Sequence, residues 1–265
     1  SMVNPMSQSR PDRGAFTIAV GKPIFLRMAI ALARSFVYWN RDTGIEFAIV
    51  TDKPISECPV DLTGLIKWIE VEAGAYGTGF APKLYLDQMA PANHSLFIDA
   101  DCLCVRSLEL TFERFKGKDV SVVGTNWSEG EWFGDVLTIC RRLQIPHFPY
   151  LNGGIYYIEP GPVASRVFEK ARALHKDYDE LGFVRLRNRE NDEVLISAAM
   201  AIHGQEPIEE DGTIMNTLMD APGGLELDVL AGRAVLYNPR DHPNKARGHE
   251  LRILRPAIMH MNDMD

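Results

Sequence analysis

The chain has 265 residues, of which 46% are hydrophobic and 24% charged, and a formal net charge of −8. That length accommodates one α/β domain around a substantial core, and the acidic balance argues against a general nucleic-acid binder, which would present a basic face. No uninterrupted apolar run is long enough to span a bilayer, and Cys58, Cys102, Cys104 and Cys140 have neither zinc-ribbon spacing nor the density of a disulfide framework.

Residues 1–13 are polar, contain proline and lack the apolar core of a signal peptide. Ser1 before Met2 reads as a cloning scar, so a disordered tail is expected over 1–13, one domain over 14–265, and a cytoplasmic location. Phe16–Val20 is a β-branched apolar run ended by Gly21, a first strand. Pro23 suits a first helical turn, and Phe25, Met28, Ala29, Leu32 and Phe36 recur at helical spacing down to Asn40. Strands are expected at Glu46–Val50 and Leu65–Val71. A glycine-rich stretch over 74–79 leads into a helix around Pro82–Met89. His94–Ile98 is a buried strand, followed by Asp99-Ala100-Asp101 and the strand-like Cys102–Val105.

Strands at Asp119–Gly124 and Ile155–Ile158, helices from Pro162 to His175 and from Asn191 to Ala201, and late strands at Gly232–Tyr237 and Pro256–His260 complete the pattern. A long polar loop is expected over Asn238–Glu250. The early alternation of strands and helices predicts an α/β fold, a mostly parallel central sheet with helices on both faces. Ligands of such sheets sit beyond the carboxyl ends of the strands, where Gly21, Asp52, Asp99 and Asn126 all fall.

Two carboxylates one residue apart at the end of an apolar strand need a cation or strong donors to stay ionised. A hard divalent ion meets that need; a turn in which both side chains cap backbone N–H groups is the other account.

Five pieces then stand in a familiar order: Pro82-Lys83-Leu84, Phe97-Ile98-Asp99-Ala100-Asp101, Leu151-Asn152-Gly153-Gly154-Ile155, Asn191-Asp192-Glu193-Val194-Leu195 and Ile258-Met259-His260. This order resembles the family-8 retaining glycosyltransferases, and glycogenin-like members most, along essentially the whole chain. The resemblance implies a single Rossmann-like GT-A domain. It also implies transfer of a hexose from a nucleotide-diphosphate sugar, UDP-linked, to an acceptor that the sequence does not identify as glycan, protein or small molecule.

Asp99 and Asp101 match the DxD carboxylates that hold Mn²⁺, or Mg²⁺ of the same hard-ion class, and His260 matches the histidine that completes the metal site. Lys83, Asn152, Gly153, Gly154 and Asp192 match donor-binding positions, with Asp192 and Asn152 nearest the reacting carbon. Each has a plainer account: a core or surface histidine at 260, a solvated lysine at 83, a simple turn at 152–154, and an N-cap or first-turn acid at 192. The family pattern continues after the histidine with glycine and lysine, whereas Met261 and Asn262 follow His260 here. A phosphate-side cation would then come from Lys22, Lys83 or Lys245.

A haloacid-dehalogenase-type phosphatase would carry its Asp pair near the N-terminus, and a nucleotidyltransferase would carry a richer basic loop than Gly21-Lys22-Pro23. A catalytically silent nucleotide-sugar binder is the remaining alternative. The aromatic stretch over 127–150, with Trp127, Trp132, Phe133, Phe148 and Tyr150, fits either an acceptor surface or ordinary packing.

Overall fold

The computed structural model describes residues 10–151, 153–238 and 252–261. In chain order it has β1 (Arg13–Ala19), α1 (Pro23–Asn40), β2 (Glu46–Thr51), β3 (Lys67–Glu70), α2 (Leu86–Met89), β4 (His94–Ile98), β5 (Cys102–Cys104) and α3 (Glu109–Phe115). Then come β6 (Val120–Ser121), β7 (Gly124–Trp127), α4 (Val136–Leu143), β8 (Phe148–Leu151), β9 (Ile155–Ile158), α5 (Pro162–Lys176) and α6 (Asp192–Ile202). β10 (Met215–Thr217), β11 (Leu225–Asp228), β12 (Arg233–Tyr237), β13 (Ile253–Leu254) and β14 (Ile258–His260) close the list.

Six strands form the central sheet in the order β3-β2-β1-β4-β9-β6. β3, β2, β1 and β4 run parallel, and β9 is antiparallel to both its neighbours. Strand alternation divides the apolar residues between two cores. Phe16, Phe97 and Tyr156 face the layer of α4, α5 and α6. Leu96, Ile98 and Tyr157 face α1 and α3. The expected mostly parallel sheet with helices on both faces is what the chain forms.

Pro23 opens α1, whose inward stripe is Leu26, Ala29, Leu32, Ala33 and Phe36. The same helix carries two buried polar residues with a structural task. Ser35 Oγ accepts from Cys104 N at 2.9 Å, and Asn40 Oδ1 accepts from Leu108 N at 2.9 Å. These bonds fix β5 and the start of α3 against the sheet.

Several elements differ from expectation. The helix over Pro82–Met89 is a 3₁₀ turn, Ala81–Tyr85, followed by the single α turn of α2. Only Val120 and Ser121 of the strand expected over 119–124 join the sheet. Val123 instead bridges Ile208, and Gly124 begins a separate hairpin of β7 with β8. Of the tail placed at 1–13, residues 10–13 are described: the Pro11 and Asp12 carbonyls accept from Asn93 N and His94 N, and Arg13 opens β1. Most of the loop expected over Asn238–Glu250 lies outside the described residues. α3, α4, β8, β10, β11 and β13 correspond to no element expected above.

Trp132 is buried rather than displayed. Its ring stacks on Phe148 at 6.0 Å and meets Tyr150 edge-on at 5.1 Å, inside the core shared with α4 and α6. Trp132→Ala should therefore destabilise the fold by about 3–5 kcal/mol. Equilibrium urea unfolding is the check, and a loss under 1 kcal/mol would return Trp132 to the surface account.

Candidate active site

β4 ends at Ile98, so Asp99 and Asp101 stand where the parallel strands leave the core. Two backbone bonds hold their turn: Asp99 N donates to the Gly154 carbonyl at 2.8 Å, and Cys102 N donates to the Asp99 carbonyl at 3.0 Å. The chain then enters β5, which pairs antiparallel with β14 so that Cys102 faces His260. Met261 N closes the arrangement by donating to the Asp101 carbonyl at 3.0 Å. A three-strand sheet, β10-β14-β5, thus delivers a residue from the far end of the chain to the acidic turn.

The side chains converge. His260 Nε2 lies 3.0 Å from Asp101 Oδ1 and 3.6 Å from Asp99 Oδ2. Lys83 Nζ lies 2.8 Å from Asp99 Oδ1 and 3.8 Å from Asp192 Oδ2, with the Phe97 ring beneath it at 5.7 Å. The fully buried Tyr156 donates its hydroxyl to Asp192 Oδ2 at 3.0 Å. Lys83, Asp99, Asp101, Asp192 and His260 are therefore one connected group.

Gly153 and Gly154 are close by. A Cβ on Gly153 would come within 2.7 Å of Glu193 Cγ and 2.9 Å of the Tyr156 hydroxyl, so only glycine fits without displacing them. Gly154 anchors Asp99 through its carbonyl. Asn152 lies outside the described residues, as does Lys245. Lys22 sits at the N-cap of α1 and does not line the cavity beside the acidic pair.

The N-cap role considered for Asp192 belongs to Asn191 instead. Asn191 Oδ1 accepts from Glu193 N at 2.9 Å and from Val194 N at 3.3 Å. Asp192, the first helical residue, is released to face Tyr156 and Lys83.

The electrostatics follow from three carboxylates gathered around one ammonium. Burial alone would pull the Lys83 pKa down, but Asp192 and Asp99 more than offset this and hold it above the usual lysine range. Burial pushes the Asp99 carboxyl up, and the Lys83 and His260 charges only partly oppose it. For His260, burial works downward, while the hydrogen bond to Asp101 and the Asp99 charge prevail and raise it.

Asp99, Asp101 and His260 offer two carboxylates and an imidazole at one point, a donor set suited to a hard divalent cation that tolerates mixed O/N ligands. The Cys102 sulfur lies with Asp101 and His260 in one group of potential ligand atoms, all within 4.8 Å of one another. Burial, then Asp99 and Asp101, push its thiol well above the ordinary range. It remains a protonated core thiol at neutral pH.

Beside this group is a cavity of about 330 Å³. Ile18, Val20, Phe25 and Met28 form its apolar wall, and Lys83, Asp99, Asp101 and Arg189 its polar one. Arg189 had no place in the sequence reading, because it lies in a polar loop without periodic signal. A smaller cavity adjoins it over the ends of β1, β2 and β3, bounded by Val20, Val50, Val71 and Tyr76. The glycine-rich stretch borders both.

No protein-family model matches the chain, and no curated protein matches it. Solved structures do. The galactosyltransferase LgtC, in complex with donor and acceptor sugar analogs, superposes with a TM-score of 0.62 at 12% identity, over 95% of this chain and 87% of that one. Mouse xyloside xylosyltransferase 1 matches with a TM-score of 0.55 at 14% identity, over 95% and 98%. The glycosyltransferase GlyE of Streptococcus pneumoniae TIGR4 matches with a TM-score of 0.51 at 13% identity, over 76% and 46%. At such identities the likeness establishes the fold, which is the GT-A fold of glycosyltransferases. Among the described residues no helix is long and apolar enough to cross a membrane.

Removing the single ammonium should expose its structural weight. A cation whose pKa rises on folding stabilises fully below its unfolded value, roughly 10.4. The Lys83 contribution is therefore complete at neutral pH and, on the alkaline side, fades as the pH climbs through the higher folded value. Lys83→Met should cost about 2 kcal/mol at pH 7, less than for a fully buried pair because Lys83 keeps 22% of its side-chain surface. Near pH 3 the cost should shrink as Asp99 protonates. Urea unfolding in EDTA at the two pH values tests this, and an equal cost at both would reject the charge account.

Proposed function

We propose that this chain is a metal-dependent glycosyltransferase that moves a hexose from a nucleotide-diphosphate sugar, UDP-linked, to an acceptor with retention of configuration. The observation that carries the reading is the meeting of Asp99, Asp101 and His260 at the carboxyl edge of a parallel sheet in a GT-A fold. Bound there, Mn²⁺ or Mg²⁺ would act as a Lewis acid toward the charge that develops on the departing diphosphate.

The chain's own residues divide the remaining work. The larger cavity takes the diphosphate and sugar. Lys83 orients the donor while neutralising Asp99 and Asp192. Gly153 allows close approach of backbone beside Glu193 and Tyr156. Asp192, fixed by Tyr156 and Lys83, faces the reacting carbon and stabilises the positive character it acquires.

Binding of nucleotide and metal should be mutually dependent, since phosphate oxygens complete the ion's coordination. Calorimetry with UDP should give an affinity at least about tenfold higher with Mn²⁺ than in EDTA, and Asp101→Asn should remove most of that gain. Equal affinity in both conditions would overturn the reading. Mn²⁺-dependent hydrolysis across a panel of nucleotide sugars would then identify the donor.

Stereochemistry gives a second test. An Asp192 carboxylate within reach of the Lys83 ammonium and accepting from Tyr156 is a poor nucleophile, because both partners stabilise its charge. Front-face transfer, with the leaving diphosphate accepting the acceptor's proton, is favoured over a double displacement. Asp192→Ala should slow transfer by about 10²-fold or more yet leave the product configuration unchanged. A glycosyl ester trapped on Asp192 in the wild-type protein, seen by mass spectrometry, would refute this.

A further inference from the structure

Resting on the donor-binding reading above, we infer that Arg189 is the cation that engages the donor's diphosphate, presented by a loop built to hold it over the cavity. The loop over 184–191 is closed at its base by one buried hydroxyl. Tyr178, 1% exposed, donates to the Val184 carbonyl at 2.9 Å and accepts from Asn191 N at 3.1 Å. Val184 N is tied to the Phe133 carbonyl at 2.8 Å. At the tip, Leu186 N donates to the Arg189 carbonyl at 2.9 Å and Arg189 N to the Leu186 carbonyl at 3.0 Å. Arg187 and Asn188 between them have φ of 54° and 62°, a tight two-residue turn of type I′ geometry. Base and tip are both specified, so the position of Arg189 follows from the backbone.

The loop's arginines are partnered differently. Arg185 makes a bidentate pair with Asp179, at 3.0 and 2.9 Å, and a further bond to Glu190 at 2.9 Å. The other Glu190 oxygen is held by His175. The acids next to the loop are thus occupied. Arg189 lines the cavity beside Lys83, Asp99 and Asp101, and among the described residues no carboxylate pairs with its guanidinium. Lys83, by contrast, is already shared between Asp99 and Asp192. A diphosphate entering this cavity meets carboxylates, a committed ammonium and one uncommitted guanidinium. The guanidinium fork can bind two phosphate oxygens at once, which an ammonium cannot. Its place at the start of the segment leading into Asn191 and Asp192 also couples donor capture to the helix that carries the reacting-centre carboxylate.

The test is calorimetry in Mn²⁺ with whichever of UDP, GDP, ADP and CDP binds the wild-type protein most tightly, together with the corresponding monophosphate. Arg189→Met should weaken diphosphate binding by about 10- to 100-fold and monophosphate binding by distinctly less. Its thermal midpoint and its Mn²⁺ affinity without nucleotide should match wild type, since Arg189 is exposed. Arg189→Lys should restore only part of the loss. Arg187→Met, at the tip of the same turn and outside the cavity lining, should bind like wild type. Unchanged diphosphate binding by Arg189→Met, or an equal loss in Arg187→Met, would overturn the assignment of Arg189 alone. Failure of the wild-type protein to bind any of the four diphosphates would overturn the donor-binding reading and this inference with it.

Discussion

Asp99 is a carboxylate at the end of a strand whose other residues pack into the core, and it can remain ionised only if positive charge is brought to it. Much of the surrounding architecture serves that requirement. Lys83 reaches it from a 3₁₀ turn, His260 from a strand at the other end of the sequence, and the Gly154 carbonyl fixes its backbone. Because Lys83 is shared with Asp192, the start of α6 is drawn to the same point. Three segments far apart in sequence are held together by the need to compensate one charge. A cluster still short of positive charge after that compensation is predisposed to receive a cation from solution.

The floor beneath this cluster is also the core. Phe97 and Tyr156 belong to the same sheet face as the layer of α5 and α6, and both touch the site: Phe97 through the Lys83 ammonium and Tyr156 through Asp192. A packed aromatic floor has few alternative rotamers. Side chains resting on it inherit that rigidity, which is what positioning of a reacting carbon to a fraction of an ångström requires.

The elements legible in the sequence were those with a local signal. The β-branched run before Gly21, the helical stripe after Pro23 and the acidic pair ending an apolar strand could each be read within a dozen residues. The order of five short motifs extended that reading to Lys83, Asp192 and His260. What escaped it was non-local or aperiodic. β5 and β14 are three residues each, too short for alternation to announce a pairing. The segment at Pro82 forms an i→i+3 turn and one α turn where a single helix was expected. Asn191 and Asp192 are equally good caps by residue type; burial against Tyr156 decided between them. Arg189 stands in a polar loop that carries neither a period nor a motif to mark it.

The pairing of β5 with β14 has a consequence for how the protein comes into being. Asp101 and His260 are neighbours in space but lie far apart along the chain. A nascent chain can assemble β1–β4 and α1 from contacts of modest sequence separation, whereas His260 must be recruited across a very long chain closure. Until then the acidic turn exists without its imidazole. Completion of the candidate site is therefore a late event that reports the arrival of β14 beside β5.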